Sequence, residues 1–339
     1  MLASKKKSLF ASFITAFILG VVPPLLSVSS YEVTPLIANQ DGKAPNVDKN
    51  LRNSWGIFFV PNGQFWVADN AADLATLYDP DGRIINFILE ANASPTGALL
   101  NLTDNFLIGN VGNKHPADFL VATETGTILG FNNDVNPLSF VVAADRSFFG
   151  SIYKGLTQVE SLLFATDFHN GKIDVFDSAF NFLFSLKDDT LPSDFAPFNI
   201  KNINGLLYVT YAKQLPPDNV DDQAGKGNGY VNVYTPTGDF VKRLVSQGKL
   251  NSPWGLALAP DTFGDFSGAL LVGNQGDGSI NAFDADTGAF LGRLKDAQGD
   301  PLKIPRLWSL AFDSQGTLYY TSGPQNEKNG IVGKIVMVP

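Results

Sequence analysis

The sequence contains no cysteine, and it has only two histidines and two methionines among its 339 residues. The absence of cysteine excludes a disulfide framework, a thiol nucleophile, and zinc or iron–sulfur sites with thiolate ligands. Two histidines are also too few for a three-histidine zinc centre. Charged residues make up 17% of the chain, below the roughly 25% of an average soluble domain, whereas glycine, proline and phenylalanine are frequent. This composition favours a turn-rich fold with a large apolar core.

Long apolar runs are missing after the first 30 residues. Residues 1–30 begin with the positive segment Lys5–Lys7, continue with an apolar run, and end in small residues with a predicted cleavage site near Ser29 or Ser30. We therefore expect a secreted or periplasmic protein whose folded part is a single domain at 31–339, with no membrane span after cleavage. The alternative is an uncleaved membrane anchor, although the apolar run is short for a spanning helix of about 20 residues.

Positive charge is scarce as well. The net charge is −9, and removal of the three leader lysines makes it −12. Nucleic acids and anionic membranes are bound through basic patches, so this balance argues against both as partners. We expect a soluble monomer whose partner is a small molecule, a glycan or a protein.

A sixfold repeat runs through the rest of the chain. The clearest pair is Trp55-Gly56-Ile57 and Trp254-Gly255-Leu256, and weaker copies lie between and after them. The aligned small residues are separated by 41 to 58 residues, which is the size of a propeller blade. They are Gly56, Gly97, Gly155, Asn199, Gly255 and Ser309.

Each repeat start is followed by further short strand patterns. A second apolar strand ends in small or polar residues, as in 65–70, and a third alternates with period two, as in 171–177. Turns rich in proline and glycine lead to a fourth strand. Four strands in each of six units predict an all-β, six-bladed β-propeller with four-stranded antiparallel blades and little helix. The last unit has only three strands, so we predict that 31–37 supplies its outer strand and closes the ring.

The motifs 53–70, 165–177, 195–200, 211–229 and 250–284 together resemble NHL-repeat propellers, and more closely a family of uncharacterised secreted bacterial NHL-like propeller proteins. The resemblance covers nearly all of 31–339. It implies the propeller fold, and it implies no established activity.

The resemblance also implies that two sets of loops meet at one mouth of the central channel, where a concave surface is the default binding site. One set leads into the first strands of the repeats, and the other leaves the second strands. Glu124 and Gln275 belong to the second set. The residues that we predict to bind a ligand there are Asn53, Asn70, Asp167, His169, Lys213, Asn274 and Asp277. The alternative for each is a role in turn formation.

An enzyme is the second hypothesis. Asp167 and His169 would transfer protons in a metal-dependent hydrolase or lyase, with Asn70 and Asn274 orienting the substrate or the metal. Lactonases that resemble senescence-marker protein surround a central divalent metal with Glu, Asn and Asp. In this sequence the acidic set is missing at the position directly before each aligned small residue, which we call the slot. The slot is occupied by Trp55, Thr96, Lys154, Phe198, Trp254 and Trp308. A serine nucleophile elbow and a phosphate-binding glycine loop are absent from the sequence.

Two further features have more than one interpretation. Each of the three tryptophans of the slot either packs between neighbouring blades or joins the others in an aromatic wall for a sugar or another flat ligand. The segment 211–229 is the longest connection within a repeat, and Asp218, Asp221 and Asp222 in it form either a Ca²⁺ site or a solvated acidic loop. The leading hypothesis is a ligand-binding module that uses the channel face, and an extracellular scaffold is a third possibility that the sequence leaves open.

Overall fold

The computed structural model describes residues 29–338. The predicted leader, apart from Ser29 and Ser30, lies outside the described residues. The chain first forms β1 (Ser30–Ala38) and the short strand β2 (Asn46–Val47). Six blades then follow around a common axis.

Each blade is a sheet of antiparallel strands that follow one another in the chain. Blade 1 contains β3 (Ser54–Phe59), β4 (Phe65–Asp69), β5 (Leu74–Tyr78) and β6 (Ile84–Glu90). Blade 2 contains β7 (Pro95–Leu100), an inserted hairpin of β8 (Leu107–Asn110) and β9 (Asn113–Pro116), and then β10 (Phe119–Thr123), β11 (Thr127–Phe131) and β12 (Val141–Asp145). Blade 3 contains β13 (Tyr153–Val159), β14 (Leu162–Asp167), β15 (Lys172–Phe176) and β16 (Phe182–Leu186).

The second half of the ring follows the same plan. Blade 4 contains β17 (Phe195–Ile203), β18 (Leu206–Lys213), β19 (Gly229–Tyr234) and β20 (Phe240–Ser246). Blade 5 contains β21 (Pro253–Leu258), β22 (Leu270–Asn274), β23 (Ile280–Phe283) and β24 (Phe290–Arg293). Blade 6 contains β25 (Leu307–Phe312), β26 (Leu318–Ser322) and β27 (Ile331–Val338), with β1 as its outer strand.

Helix is scarce, as predicted. The described residues contain three short 3₁₀ turns, Asn70–Ala72, Ser147–Phe149 and Gly264–Phe266, and one helical turn, Pro324–Glu327. No helix in residues 29–338 is long and apolar enough to cross a membrane. The six-bladed, four-stranded antiparallel architecture is confirmed.

The N-terminal strand closes the ring. β1 pairs antiparallel with β27, from Ser30 opposite Val338 to Ala38 opposite Ile331, with a bulge near Pro35. This confirms the prediction for 31–37, and it covers an edge of β27 that would otherwise offer unpaired backbone groups. β2 adds a short parallel pairing at the outside of β1, which the repeat pattern did not predict.

The aligned small residues lie where the inner strands of neighbouring blades approach one another most closely. A Cβ atom on Gly56 would lie 2.6 Å from the carbonyl oxygen of Thr96 in the next blade. A Cβ atom on Gly155 would lie 2.5 Å from Asn199 Oδ1. Real Cβ atoms do not approach other atoms this closely, so a side chain there would push the blades apart. The repeat signal therefore marks the contact between blades at the axis.

Candidate functional site at the mouth of the central channel

The N-terminal halves of the six inner strands converge on one mouth of the channel. In each blade, the pairing between the inner strand and the second strand changes register close to the aligned small residue. In β13, for example, the change lies between Tyr153 and Gly155. Such a bulge inserts an extra residue and re-aims side chains next to it. The tryptophans of the slot are thereby directed towards the axis, where they meet one another.

The three tryptophans form an aromatic layer across the channel. The rings of Trp55 and Trp308 stack with centroids 3.5 Å apart, and Trp254 meets both edge-on at 5.8 and 6.0 Å. Phe198 contacts Trp55 and Trp308 from the fourth blade. All four side chains are at most 2% exposed. Packing against one another is therefore the main structural role of these residues, and the layer blocks the channel below the mouth.

Above the aromatic layer lies a cavity of about 240 Å³, which we call the mouth pocket. Its wall combines aromatic, acidic and basic side chains from blades 1, 3 and 6 with part of the long connection between β18 and β19. The lining residues are Trp55, Lys154, Leu215, Asp221, Asp222, Arg306, Trp308, Asn326 and Glu327. This is a concave site with several polar groups directed at one place, which is the usual form of a small-molecule site.

A chain of hydrogen bonds connects the loops around one side of the mouth. Trp308 Nε1 donates to Asn53 Oδ1 at 2.9 Å, and Asn53 Nδ2 donates to Asn70 Oδ1 at 3.1 Å. Asn70 Nδ2 then donates to Glu124 Oε2 at 2.8 Å, while the other oxygen of Glu124 pairs with Lys154. The result is a fixed polar rim that holds the stacked indoles and the buried lysine in place.

Glu327 extends the rim from Asn53 towards blades 5 and 6. It accepts hydrogen bonds from Asn53 Nδ2 at 3.4 Å and from Gln275 Nε2 at 3.2 Å, and it lies 3.8 Å from Arg306. Glu327 and the two residues before it have positive φ values of 54° to 66°, which is a left-handed turn made without glycine. Three consecutive left-handed residues other than glycine are costly, and the surrounding contacts must hold them in place.

Charge is unevenly distributed in the mouth. Lys154 is buried, and its Nζ lies 5.0 Å from the centroid of the Trp55 ring. Burial opposes its charge, but the Glu124 carboxylate outweighs burial and raises the pKa of Lys154. Burial likewise opposes the charge of Glu124, yet Lys154 and the hydrogen bond from Asn70 bring the pKa of Glu124 below its usual value. The two groups are therefore an ion pair across the neutral pH range.

The remaining acids are less well compensated. Burial raises the pKa of Asp222 and of Glu327 above their usual values, despite the nearby charges of Lys154 and Arg306. One oxygen of Asp222 and the side-chain oxygen of Gln275 are buried and accept no hydrogen bond from any of residues 29–338. Four carboxylates, those of Glu124, Asp221, Asp222 and Glu327, face only two cations, Lys154 and Arg306. The mouth therefore has an excess of negative charge and free acceptor atoms.

Two of the predicted ligand-binding residues, Asn53 and Asn70, lie in the rim. Asn274 is instead buried in blade 5, where it donates to the carbonyl of Lys249 at 2.9 Å and accepts from the backbone of Asn251. Asp277 accepts two hydrogen bonds from Ser279 in the turn after β22. Lys213 pairs with Asp194 at 3.2 Å. These three side chains are engaged in local contacts that stabilise turns and strand ends.

Asp167 and His169 do not line the mouth pocket. Asp167 is fully buried at the end of β14, where it accepts hydrogen bonds from the backbone of Ile152 and from Asn170. His169 Nδ1 lies 3.0 Å from the carbonyl oxygen of Asp218, and its ring lines a separate cavity of about 320 Å³ between blades 3 and 4. Their assignment as a proton-transfer pair stays a prediction.

The three acids of the long connection point in different directions. Asp221 lies 3.9 Å from Lys154, and Asp222 lines the mouth pocket. Asp218 is exposed, and its backbone carbonyl contacts His169. Within residues 29–338, no group of three His, Cys, Asp or Glu side chains is arranged to hold a metal ion. The connection folds over the mouth and contributes two carboxylates to it.

Sequence reasoning missed several mouth residues as ligand contacts. Lys154 was recognised only as a member of the strand-start slot, and Arg306 and Glu327 were not singled out. Arg306 has a positive φ of 54°, and Asn53 and Ser252, at the equivalent position before their own inner strands, have φ values of 48° and 47°. That shared position was a usable signal. Glu327 carried no such signal, because it is positioned by a turn that occurs in one blade.

These observations define a six-bladed β-propeller with a polar pocket at one channel mouth. No protein-family model matches the sequence. The uncharacterized protein R648 of Acanthamoeba polyphaga mimivirus is 33% identical over 328 residues, covering 92% of this chain and 82% of that protein. The uncharacterized protein L690 of the same virus is 34% identical over 329 residues, covering 92% and 87%. The chain belongs to the same family as R648 and L690. Its assignment to a secreted bacterial NHL-like family stays a prediction.

Solved structures show the same fold at low sequence identity. A protein of unknown function from Bacteroides thetaiotaomicron aligns with a TM-score of 0.62 and 11% identity over 91% of this chain and 76% of that chain. A luciferin-regenerating enzyme aligns at 0.55 with 15% identity, covering 91% and 95%. A streptogramin B lyase aligns at 0.53 with 11% identity, covering 91% and 98%. At such identities the likeness is one of fold.

Proposed function

We propose that the protein is a ligand-binding module whose mouth pocket takes a small organic cation, an ammonium or guanidinium compound with an apolar part. The observation that carries this proposal is the excess of carboxylates over cations around a pocket bounded by tryptophan. An organic cation would compensate the acids and contact the indoles with its apolar part.

A buried acceptor atom supports the same ligand class. Within residues 29–338, Asp222 Oδ2 has no hydrogen-bond donor, and buried polar atoms without a partner are costly. Asp222 lines the pocket, so a ligand N–H group would satisfy this oxygen, whereas an anionic ligand would meet repulsion from Asp221 and Glu327. The fixed rim of Asn53, Asn70 and Glu124 would add preorganisation, since few side chains need to be ordered on binding.

Calorimetric titration with benzylamine tests this function, with benzyl alcohol as the neutral compound of similar shape. We expect benzylammonium to bind with one-to-one stoichiometry and more tightly than benzyl alcohol by about tenfold or more. Asp222→Asn should weaken benzylammonium binding by a similar factor. Asp41→Asn is the matched control, because Asp41 is 87% exposed and its one ion pair within residues 29–338 is with Lys49. Equal binding of alcohol and amine, or unchanged binding in Asp222→Asn, would contradict the proposal.

A second candidate is acid–base catalysis in the same pocket, as a hydrolase or a lyase. The raised pKa values of Asp222 and Glu327 favour it, because burial makes these carboxyl groups hold their protons more tightly than free ones, which is the direction that general-acid catalysis needs. In this form of the enzyme hypothesis, Asp222 and Glu327 replace Asp167 and His169 as the proton-transfer groups. Hydrolysis of simple esters or lactones by the wild type, abolished in Glu327→Gln and retained in Asp41→Asn, would establish it.

A further inference from the structure

A second cavity occupies the other half of the channel. It has a volume of about 330 Å³ and is lined by the C-terminal halves of the inner strands of all six blades. The aromatic layer separates it from the mouth pocket, with Trp254 on this side and Trp55 and Trp308 on the other. We call it the lower cavity. Most of its wall is aliphatic or aromatic, and the apolar side chains include Ile57, Phe59, Leu99, Leu256, Leu310 and Phe312.

One cation faces this apolar space. Lys201 on β17 lines the lower cavity, and its Nζ donates a hydrogen bond of 3.4 Å to the carbonyl oxygen of Leu310. Within residues 29–338, Lys201 forms no ion pair. No aspartate or glutamate among the described residues lines the cavity. Lys154 at the other mouth, by contrast, has Glu124 beside it.

An uncompensated cation in such a place is costly. Burial lowers the pKa of Lys201 to about 8, and no neighbouring carboxylate in the described part of the chain offsets this effect. Most Lys201 side chains are still protonated at pH 7. Buried charges are normally paired, because the loss of hydration is otherwise not recovered. Lys201 is half-buried on the wall of the cavity, and a negative charge from outside the chain would compensate it there.

We propose that the lower cavity binds a small carboxylate with an apolar chain, whose carboxyl group pairs with Lys201 and whose chain fills the space between the inner strands. The neutral polar side chains of Thr157, Asn199 and Ser309 also line the cavity. The Asn199 amide is engaged with the backbone of Trp254 and Ile200, so the hydroxyl groups of Thr157 and Ser309 are the neutral groups that would contact the carboxylate. The volume is at the lower end of the range of ligand cavities, which restricts the ligand to a short chain. This site is independent of the mouth pocket, which selects the opposite charge.

Calorimetric titration of the whole protein with octanoate at pH 7 tests the proposal. We expect one-to-one binding, and we expect octan-1-ol, which has the same chain without the charge, to bind at least about tenfold more weakly. Lys201→Met keeps the apolar stem and removes the charge, so it should weaken octanoate binding by about tenfold or more, whereas Lys201→Arg should retain most of it. Lys187→Met is the matched control, because Lys187 is 63% exposed and, in the described part of the chain, its one ion pair is with Asp189 at the surface.

Benzylamine titration of each Lys201 variant separates this site from the mouth pocket. An unchanged benzylamine affinity would show that the variant is folded and that any loss of octanoate binding is local. If the wild type does not bind octanoate at millimolar concentration, or if Lys201→Met binds it as tightly as the wild type, the proposal is wrong. A failure of benzylamine to bind the wild type would contradict the function of the mouth pocket and leave the octanoate result to stand on its own.

Discussion

The hydroxyl group of Thr321 joins the last blade of the ring to the first. Its Oγ1 donates a hydrogen bond of 2.5 Å to the carbonyl oxygen of Trp55, 266 positions away in the chain. The same oxygen accepts the backbone N–H of Ser309 at 2.9 Å. Thr166 makes the equivalent pair of contacts, with Gly155 in its own blade and Phe198 in the next. A threonine on the second strand thus secures the bulge of its inner strand and holds the neighbouring blade.

Thr321→Val should destabilise the protein by about 2 kcal/mol, because it leaves a buried N–H and a buried carbonyl without their partner. The change can be measured as the free energy of unfolding in urea. Thr317→Val is the control in the same blade, because the Thr317 hydroxyl makes no hydrogen bond within residues 29–338. Equal stabilities of the two variants would show that the hydroxyl does not hold the blades together.

Gly155→Ala should cost about 1–3 kcal/mol of stability, because the new Cβ would lie within 3 Å of three atoms of Asn199 and Ile200 or force the strands apart. Thermal unfolding gives the comparison with the wild type. Ser309→Ala is the matched control, since Ser309 occupies the equivalent position in blade 6 and already carries a Cβ. A wild-type melting temperature for Gly155→Ala would mean that the inner strands can separate without loss.

Glu124→Gln should destabilise the folded state by about 3 kcal/mol at pH 7, because it leaves Lys154 buried beside a neutral group. The pKa of Glu124 is lowered in the folded protein, so its contribution is present above the unfolded pKa and is lost as the pH falls through the folded pKa. The stability difference between wild type and Glu124→Gln should therefore shrink in acid. Adding Lys154→Met should restore much of the loss at pH 7, and a double variant as unstable as Glu124→Gln would contradict this account.

Asp222→Asn should have opposite effects on binding and stability. The pKa of Asp222 is raised in the folded protein, so its ionised form lowers the free energy of unfolding when the pH lies above the folded pKa. This loss of stability disappears as the pH falls towards the pKa of Asp222 in the unfolded chain. The variant should be more stable than the wild type at pH 7 and no more stable in acid, while it loses benzylamine binding. Thermal melts at both pH values test the first part, with Asp41→Asn as the control. A lower stability at pH 7 would show that Asp222 is compensated in the folded state.

Lys201→Met should raise the stability of the ligand-free protein by about 2 kcal/mol at pH 7, allowing for partial solvent access. The pKa of Lys201 is about 8 in the folded protein, below its value in the unfolded chain. The loss of stability that the charged Lys201 causes is therefore fully present below pH 8. It should vanish as the pH rises through the unfolded pKa of about 10.5. Urea unfolding at pH 7 and near pH 10 measures the change, and Lys187→Met should show no such pH dependence. Destabilisation of Lys201→Met at pH 7 would overturn this prediction.

The blade number, the strand pattern and the closing strand could be read from the sequence because each repeat carries the same local signals. The aligned glycines and the alternation in 171–177 arise from constraints that recur in every blade. The hairpin β8–β9 and the strand β2 occur once, so the repeat does not contain them. Among the mouth residues, Asn53 and Asn70 follow from strand position alone. Arg306 and Glu327 depend on left-handed backbone turns, and Lys201 depends on which strand positions face the axis below the bulge.

The aromatic layer divides the central channel of the propeller. The axis is occupied at its midpoint by the side chains of Trp55, Trp254, Trp308 and Phe198. The mouth pocket and the lower cavity are therefore two separate cavities and not parts of one continuous channel. Passage of a solute along the axis would require these packed aromatic side chains to move. Ligand binding in one cavity would affect binding in the other only through movement of these indole rings. Trp308 is hydrogen-bonded through Asn53 to the polar rim of the mouth pocket.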